Sequence, residues 1–272
     1  MTTVATVALV GEDTAHAVLL ATLLRGSICE VARERAITWV VDQIEHDPCF
    51  LGPHDLGEIL SGVRYTNSIE GLQTAENTLT IQGRPVKLRG HLGGQPLAPE
   101  AQKWRRLLVG VLALEPSGVM IARDTDGEPA RLQGLRQVVE WLRQQRRNPA
   151  FVIAAPHQDA ECWFVAGFDT EDTQVQGGMR SLRVALKFDP VRHPERLTAH
   201  PNDAPTDAKR VLRTLLGLEA KSRPLDPDEL RKHQERLLGD LERLPRNGLA
   251  TGLTEFLREV REDFVRRLFP GL

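Results

Sequence analysis

Apolar residues fall into two rhythms along this chain. Three short runs, Val4 to Val10, Val119 to Ala122 and Phe151 to Ala155, are almost unbroken and predict strands buried on both faces. Between them the rhythm is helical. Ala15 to Leu24 predicts one helix, with Asp13 or Thr14 as its N-cap, and Ile28 to Ile44 a second, with Val31, Ala36, Trp39, Val40 and Ile44 on its buried side. Pro99 opens a helix whose stripe is Ala101, Trp104, Leu107, Leu108 and Val111, and Pro116 ends it. Leu132, Leu135, Val138, Val139 and Leu142 mark another, and His157 to Phe168 reads as a short one. This alternation predicts an α/β fold with a mainly parallel sheet flanked by helices over residues 1–170.

Two stretches depart from that rhythm. Residues 50–95 are rich in Gly, Asn and Thr and predict an irregular insertion, with short strands at Thr78 to Gln82 and Pro85 to Arg89. Residues 171–272 predict a mainly helical C-terminal subdomain, with helical periods at Asp203 to Gly217, Pro227 to Leu244 and Thr251 to Phe269. No strand run interrupts that tail.

Chemistry gathers where strands end. The run Gly118 to Ala122 leads through Arg123 into Asp124-Thr125-Asp126-Gly127. In an extended chain Asp124 and Asp126 point to one side, and Gly127 permits a sharp turn. Two hard oxygen donors at an open rim suit Mg²⁺ or Mn²⁺, although Asp and Gly also form plain turns. Glu12 follows the first strand and Glu161 lies shortly after the third. In a parallel sheet these carboxyl ends share one rim, and a cation relieves the repulsion among acids gathered there. Glu12 equally suits the start of a helix, and Glu161 an exposed helical position. Arg131, Arg136, Arg143, Arg146 and Arg147 form either a solvated face or a phosphate-contacting stripe. Lys209 follows Thr206 and Asp207, which suit a helix N-cap, and is a candidate phosphate contact.

Composition narrows the field. The 272 residues are 41% hydrophobic and 26% charged, with a formal net charge of −2, which argues against a basic footprint over the whole protein. Cys29, Cys49 and Cys162 are scattered without zinc spacing, as expected in a reducing cytoplasmic setting. No unbroken run of about 18 apolar residues and no basic leader are visible, so no membrane association is expected. Phosphate-binding glycine loops, a nucleophile elbow and a His-Glu-x-x-His helix are all missing from the sequence.

A strand followed by Glu12, with a later strand ending in Asp124-Thr125-Asp126-Gly127, resembles the TOPRIM fold of topoisomerases, bacterial primases and OLD-family nucleases. The segment Ala155 to Ala166, containing Glu161-Cys162-Trp163, resembles the Glu-x-Trp helix of small stand-alone DUF4276/RloB-type proteins of bacterial defence loci. Gly252 to Val260 resembles their ending. The resemblance implies a Mg²⁺- or Mn²⁺-dependent nuclease acting with an ATPase partner. Asp124 and Asp126 would then be metal ligands, Glu12 a proton carrier or ligand, and Glu161 an aid to a second metal. A homo-oligomer is compatible with it. The chain departs from the family in Glu12-Asp13, where Glu-Gly is usual, and in His16. A non-catalytic TOPRIM-like subunit is the alternative. A haloacid-dehalogenase-type phosphatase is a further one, because Asp-x-Asp-Gly also ends that family's first strand. About 115 residues precede it here, and Glu128 stands where Thr or Val is expected.

Overall fold

The computed structural model describes residues 5–11, 14–46, 58–64, 74–75, 78–81, 84–87, 91–92, 94–128, 130–144, 149–199, 204–218 and 227–272. The chain opens with β1 (Thr6–Gly11), α1 (Thr14–Glu34), α2 (Thr38–His46) and β2 (Glu58–Arg64). Five short strands follow: β3 (Thr74–Ala75), β4 (Thr78–Ile81), β5 (Arg84–Lys87), β6 (His91–Leu92) and β7 (Gln95–Pro96). Then come α3 (Ala101–Leu112), β8 (Gly118–Ala122), α4 (Arg131–Arg143), β9 (Ala150–Ala154) and α5 (Ala160–Ala166). The remainder is helical: α6 (Thr173–Leu186), α7 (Ala208–Leu215), α8 (Pro227–Leu238), α9 (Leu244–Asn247), α10 (Leu253–Glu259) and α11 (Arg266–Leu268). A π-helical turn at Val260–Val265 joins the last two.

The main sheet has the order β2-β1-β8-β9, and every neighbouring pair is parallel. Side chains alternate between its faces. Val7, Leu9, Met120, Ala122, Val152 and Ala154 enter a core shared with α1, α5 and the C-terminal helices. Ala8, Val10, Val119, Ile121 and Phe151 enter a second core with α3 and α4. Burial on both faces is why these strands read as unbroken apolar runs rather than alternating ones. Gly134 lets α4 close on α3, because a Cβ there would collide with the Pro99 carbonyl and the Ala101 backbone.

Several elements differ from the sequence expectation. The first helix does not stop near Leu24 but runs on to Glu34, and the break falls at Arg35–Ile37, where Ala36 takes φ +57° and Ile37 N–H bonds the Ala32 carbonyl (2.8 Å). Gly26 is no breaker. Leu241 packs against its bare Cα, where an added Cβ would lie 2.8 Å from Leu241 Cδ1. Ala36 and Trp39, expected inside, are exposed. The insertion holds β4 and β5 where two short strands were expected, and they pair antiparallel. It also supplies β2, which extends the main sheet beside β1. The tail includes the unexpected α6. Its helices form a layer over the sheet, sharing one core with α1 and α5.

Helix α1 also bears on membrane association. Ala15–Glu34, 20 residues of mean hydropathy 1.4, is long and apolar enough by length and composition to cross a bilayer. Its Leu19, Leu20, Leu23, Leu24, Ile28 and Val31 are buried in the protein core, which accounts for that hydropathy.

Candidate functional site

The carboxyl ends of β8 and β9 leave the sheet joined to each other. Arg123 N–H donates to the Ala154 carbonyl (2.9 Å), one residue beyond the strand. Thr125 Oγ1 then donates to the Pro156 and His157 carbonyls, while Asp126 N–H reaches Gln158 O (2.8 Å) and Gly127 N–H reaches His157 O (3.0 Å). Asp126 adopts φ +47° and Gly127 φ +74°, so the chain has left the extended conformation.

That turn separates the two aspartates. Asp124 faces α1, where its Oδ1 lies 3.3 Å from His16 Nε2. Asp126 is bound by the guanidinium of Arg131, the first residue of α4, which also lies 3.6 Å from Glu128. The expected i, i+2 convergence of Asp124 and Asp126 therefore fails, because strand geometry does not persist to residue 126. Arg131 is a clasp on the turn rather than an open phosphate contact. The sheet order makes β1 and β8 neighbours whose connections depart in opposite directions, and His16 and Asp124 meet at that switch point.

The partners of Asp124 are the acids of α5. Asp159 is only 2% exposed. It occupies the N-cap position yet makes no capping bond; Oδ1 accepts from Cys162 Sγ (3.6 Å), and Oδ2 is buried without a hydrogen-bond partner. Its carboxyl is pushed up to about 8, first by burial and then by Glu161 and Asp124, against the pull of Lys209 and of the Cys162 hydrogen bond. Burial raises Glu161 as well. Lys209 is the strongest opposing charge there, Asp124 adds to the rise, and its own N–H and His16 oppose it. Glu161 is partly buried, not the exposed residue that its helix position equally allowed.

Lys209 responds in kind. Glu161 is the first cause of its raised pKa, burial opposes it, and Asp159, Asp124 and Asp207 add to the rise. Asp207 caps α7 by accepting from Arg210 N–H (2.7 Å), the role its sequence position suggested, and so fixes Lys209 in the first turn. Asp159, Glu161 and Lys209 are thus perturbed by charges gathered at the rim, among them Asp124 and His16.

Helix α5 is held from behind. Trp163 Nε1 donates to the Thr251 carbonyl (3.0 Å), which also accepts from His157 N–H (3.1 Å), and its ring lies 5.3 Å from that of Phe256. Trp163 is a fully buried core residue. Gly252, at φ +85°, passes beside the Ala155 carbonyl, which a Cβ would approach to 2.9 Å. The Glu-x-Trp segment and the Gly252 segment, distant in sequence, therefore abut.

Glu12 and Asp13 lie outside the described residues, as do Arg146, Arg147 and His200. Arg143 is bound to the Phe151 carbonyl (3.0 Å) and lies 3.5 Å from Glu259, and His193 pairs with Glu195 (3.2 Å). The sequence pattern does not single out Asp159, and it marks His16 only as a departure from the family. Asp159 stands two residues before Glu161, where it reads as an ordinary N-cap. Among the described residues no group of three or more His, Cys, Asp or Glu side chains is arranged to hold a metal ion. The chain matches no family model, no curated protein and no solved structure.

Proposed function

We propose that this protein is a TOPRIM-like nuclease that hydrolyses phosphodiester bonds of nucleic acid with Mg²⁺ or Mn²⁺. The observation that carries the reading is the gathering of acids at the sheet rim, where burial and the neighbouring carboxylates raise Asp159 and Glu161 beside Asp124, with Lys209 facing them. The donors are all carboxylate oxygens, the set that these hard cations prefer. The orphaned Oδ2 of Asp159 is a buried acceptor that a cation would satisfy. Asp124 and Glu161 are the proposed ligands, and Asp159, which holds a proton in the metal-free protein, would release it to complete the negative charge around a cation. A divalent ion there would neutralise phosphate charge and acidify a bound water.

The chain's own residues do the rest. His16 orients the Asp124 carboxylate across the β1–β8 gap. Lys209 offers its ammonium to a phosphate oxygen. The Asp126–Arg131 clasp holds the turn that carries Asp124. By the resemblance, Glu12 moves the proton. The same resemblance supports a cytoplasmic defence role with an ATPase partner that supplies target recognition, in keeping with a net charge of −2.

The second reading is a non-catalytic TOPRIM-like subunit. It is favoured by Asp126, which is taken up by Arg131 instead of joining the acids. A haloacid-dehalogenase-type phosphatase has less support, since β1 already precedes the Asp-x-Asp strand in the same sheet. The deciding experiment incubates DNA and RNA with the protein, alone and with its neighbouring gene products, in Mg²⁺, Mn²⁺ or EDTA. Asp124→Asn and Glu161→Gln should each abolish metal-dependent cleavage, whereas Asp126→Asn should leave a reduced activity. Cleavage surviving in Asp124→Asn and Glu161→Gln overturns the mechanism. Absence of cleavage with intact partner binding favours the non-catalytic subunit instead.

A further inference from the structure

Arg131 and Arg143 of α4 are engaged by the protein itself, but a second basic surface leads away from the rim on α6 and α7. Residues 180–213 hold eight Lys and Arg against four Asp and Glu, in a chain whose net charge is −2. Three of those acids are used locally. Asp189 accepts from Arg183 (2.5 Å) and from the N–H groups of Val191 and Arg192, Glu195 pairs with His193, and Asp207 caps α7. Among the described residues, Arg180, Lys187 and Arg192 are exposed and pair with no carboxylate.

A chain of contacts joins these cations into one path that ends at the rim. Arg180, Arg183 and Lys187 share a stripe of α6 at i, i+3 and i+7, while Val175, Met179, Leu182 and Leu186 bury the helix in the core. Helix α6 lies beside α7, where a Cβ on Gly178 would come within 2.9 Å of the Thr214 carbonyl. Just past Lys187, the Arg196 guanidinium stacks on the ring of Phe188 at 4.2 Å. Two residues beyond Arg196, the Thr198 carbonyl accepts from Ala208 N–H (3.0 Å), in the first turn of α7. The next residue is Lys209, beside Glu161 and Asp159. Lys187 also closes α6 at φ +61°, a left-handed position where glycine is usual, so a charge stands where the backbone favours none. Arg180 to Lys187 covers about 10 Å of helix, the advance of about three nucleotides along a strand.

We propose that this face of α6 and α7 is a track for the phosphodiester backbone of a nucleic-acid strand, which it leads to the rim at Lys209, so that the substrate is a polymer and not a nucleotide or a small phosphodiester. The inference rests on the nuclease reading of the rim for the purpose of the track, but binding and cleavage are measured apart.

The test follows fluorescence anisotropy of labelled single strands of about 4 and about 20 nucleotides with the full chain in EDTA, over a series of salt concentrations. The longer strand should bind with a slope of log K against log salt of about −3, as about four phosphate contacts require, and the shorter one about ten-fold more weakly or worse. Arg180→Ala and Lys187→Gly should each weaken binding several-fold and lower the slope by about 1. Lys187→Gly should leave the thermal melt unchanged or higher, which separates lost binding from lost folding. Arg35→Ala, at an exposed arginine beyond the far end of α1, should change nothing. The track is overturned by absence of binding, by binding that Arg180→Ala and Lys187→Gly leave intact, by equal weakening in Arg35→Ala, or by anionic phospholipid vesicles that bind with the same dependence on Arg180 and Lys187. Binding of this pattern without cleavage in Mg²⁺ or Mn²⁺ retains the track and overturns the nuclease reading alone. Cleavage that proceeds at the wild-type rate in both track variants overturns the track and leaves that reading in place.

Discussion

Replacing Asp159 by Asn should make the metal-free protein more stable, and increasingly so as pH rises. In the native state its carboxyl titrates near 8, against an ordinary value of 3.8. Between those values the folded protein holds a proton that the unfolded chain releases, so stability falls as pH rises through this window and levels off above it. From 3.8 to pH 7 is roughly three pH units at ~1.4 kcal/mol each, which sets a ceiling of about 4 kcal/mol at pH 7 and nearly nothing at pH 4. Asn bears no such proton. It keeps an oxygen for the Cys162 thiol and brings its amide into a site with carboxylate acceptors. Part of the slope should survive, because burial raises Glu161 too. Urea denaturation in EDTA at several values between about pH 4 and pH 8 measures both curves. The gap between them should open with pH. A variant less stable than wild type at pH 7, or a gap independent of pH, refutes the idea that Asp159 is a strained acid.

Three further substitutions probe the neighbours. Lys209→Met removes the cation that most opposes the rise of Glu161, so it should lower metal-free stability at pH 7 by roughly 1 kcal/mol after solvent screening, read by urea melts. Arg131→Ala frees Asp126 at a cost of ~0–1 kcal/mol, since both partners are partly exposed, and calorimetry should find Mn²⁺ binding largely retained. Trp163→Phe leaves the Thr251 carbonyl with one donor fewer and should cost about 1–2 kcal/mol in the same melts, with the far-UV spectrum unchanged.

The legible parts of the fold are those where one physical demand dominates. β1, β8 and β9 are buried on both faces, so their sequences carry little but apolar residues. β2 (EILSGVR) mixes charge, serine and glycine and gives no such signal. Gly26 lies in the gap left between the two expected helices, and its reason, the passage of Leu241, comes from more than 200 residues away. α6 is hidden by Gly177-Gly178, although Val175, Met179, Leu182 and Leu186 bury one face. Among the site residues, Glu161 is readable from its position after a strand, and Lys209 is a candidate phosphate contact near the Asp207 cap. Asp126 leaves the alternation on which its assignment rests because its own backbone is left-handed, and its carboxylate goes to Arg131. Asp159 escapes notice since an aspartate before a helix looks like a cap, whereas its side chain in fact caps nothing.

The anchoring of α5 by Thr251 also sets an order of events on the ribosome. Trp163 and its acceptor are 88 residues apart, and Phe264 and Leu268 pack against Gly118, at the start of β8. When Asp124, just after β8, and the acids at α5 have left the exit tunnel, the carbonyl that holds α5 and the side chains that back β8 have yet to be made. Until they emerge, the nascent chain carries the acids without their support. On the proposed reading, the site would thereby stay unassembled while the chain is still tethered to the RNA that encodes it.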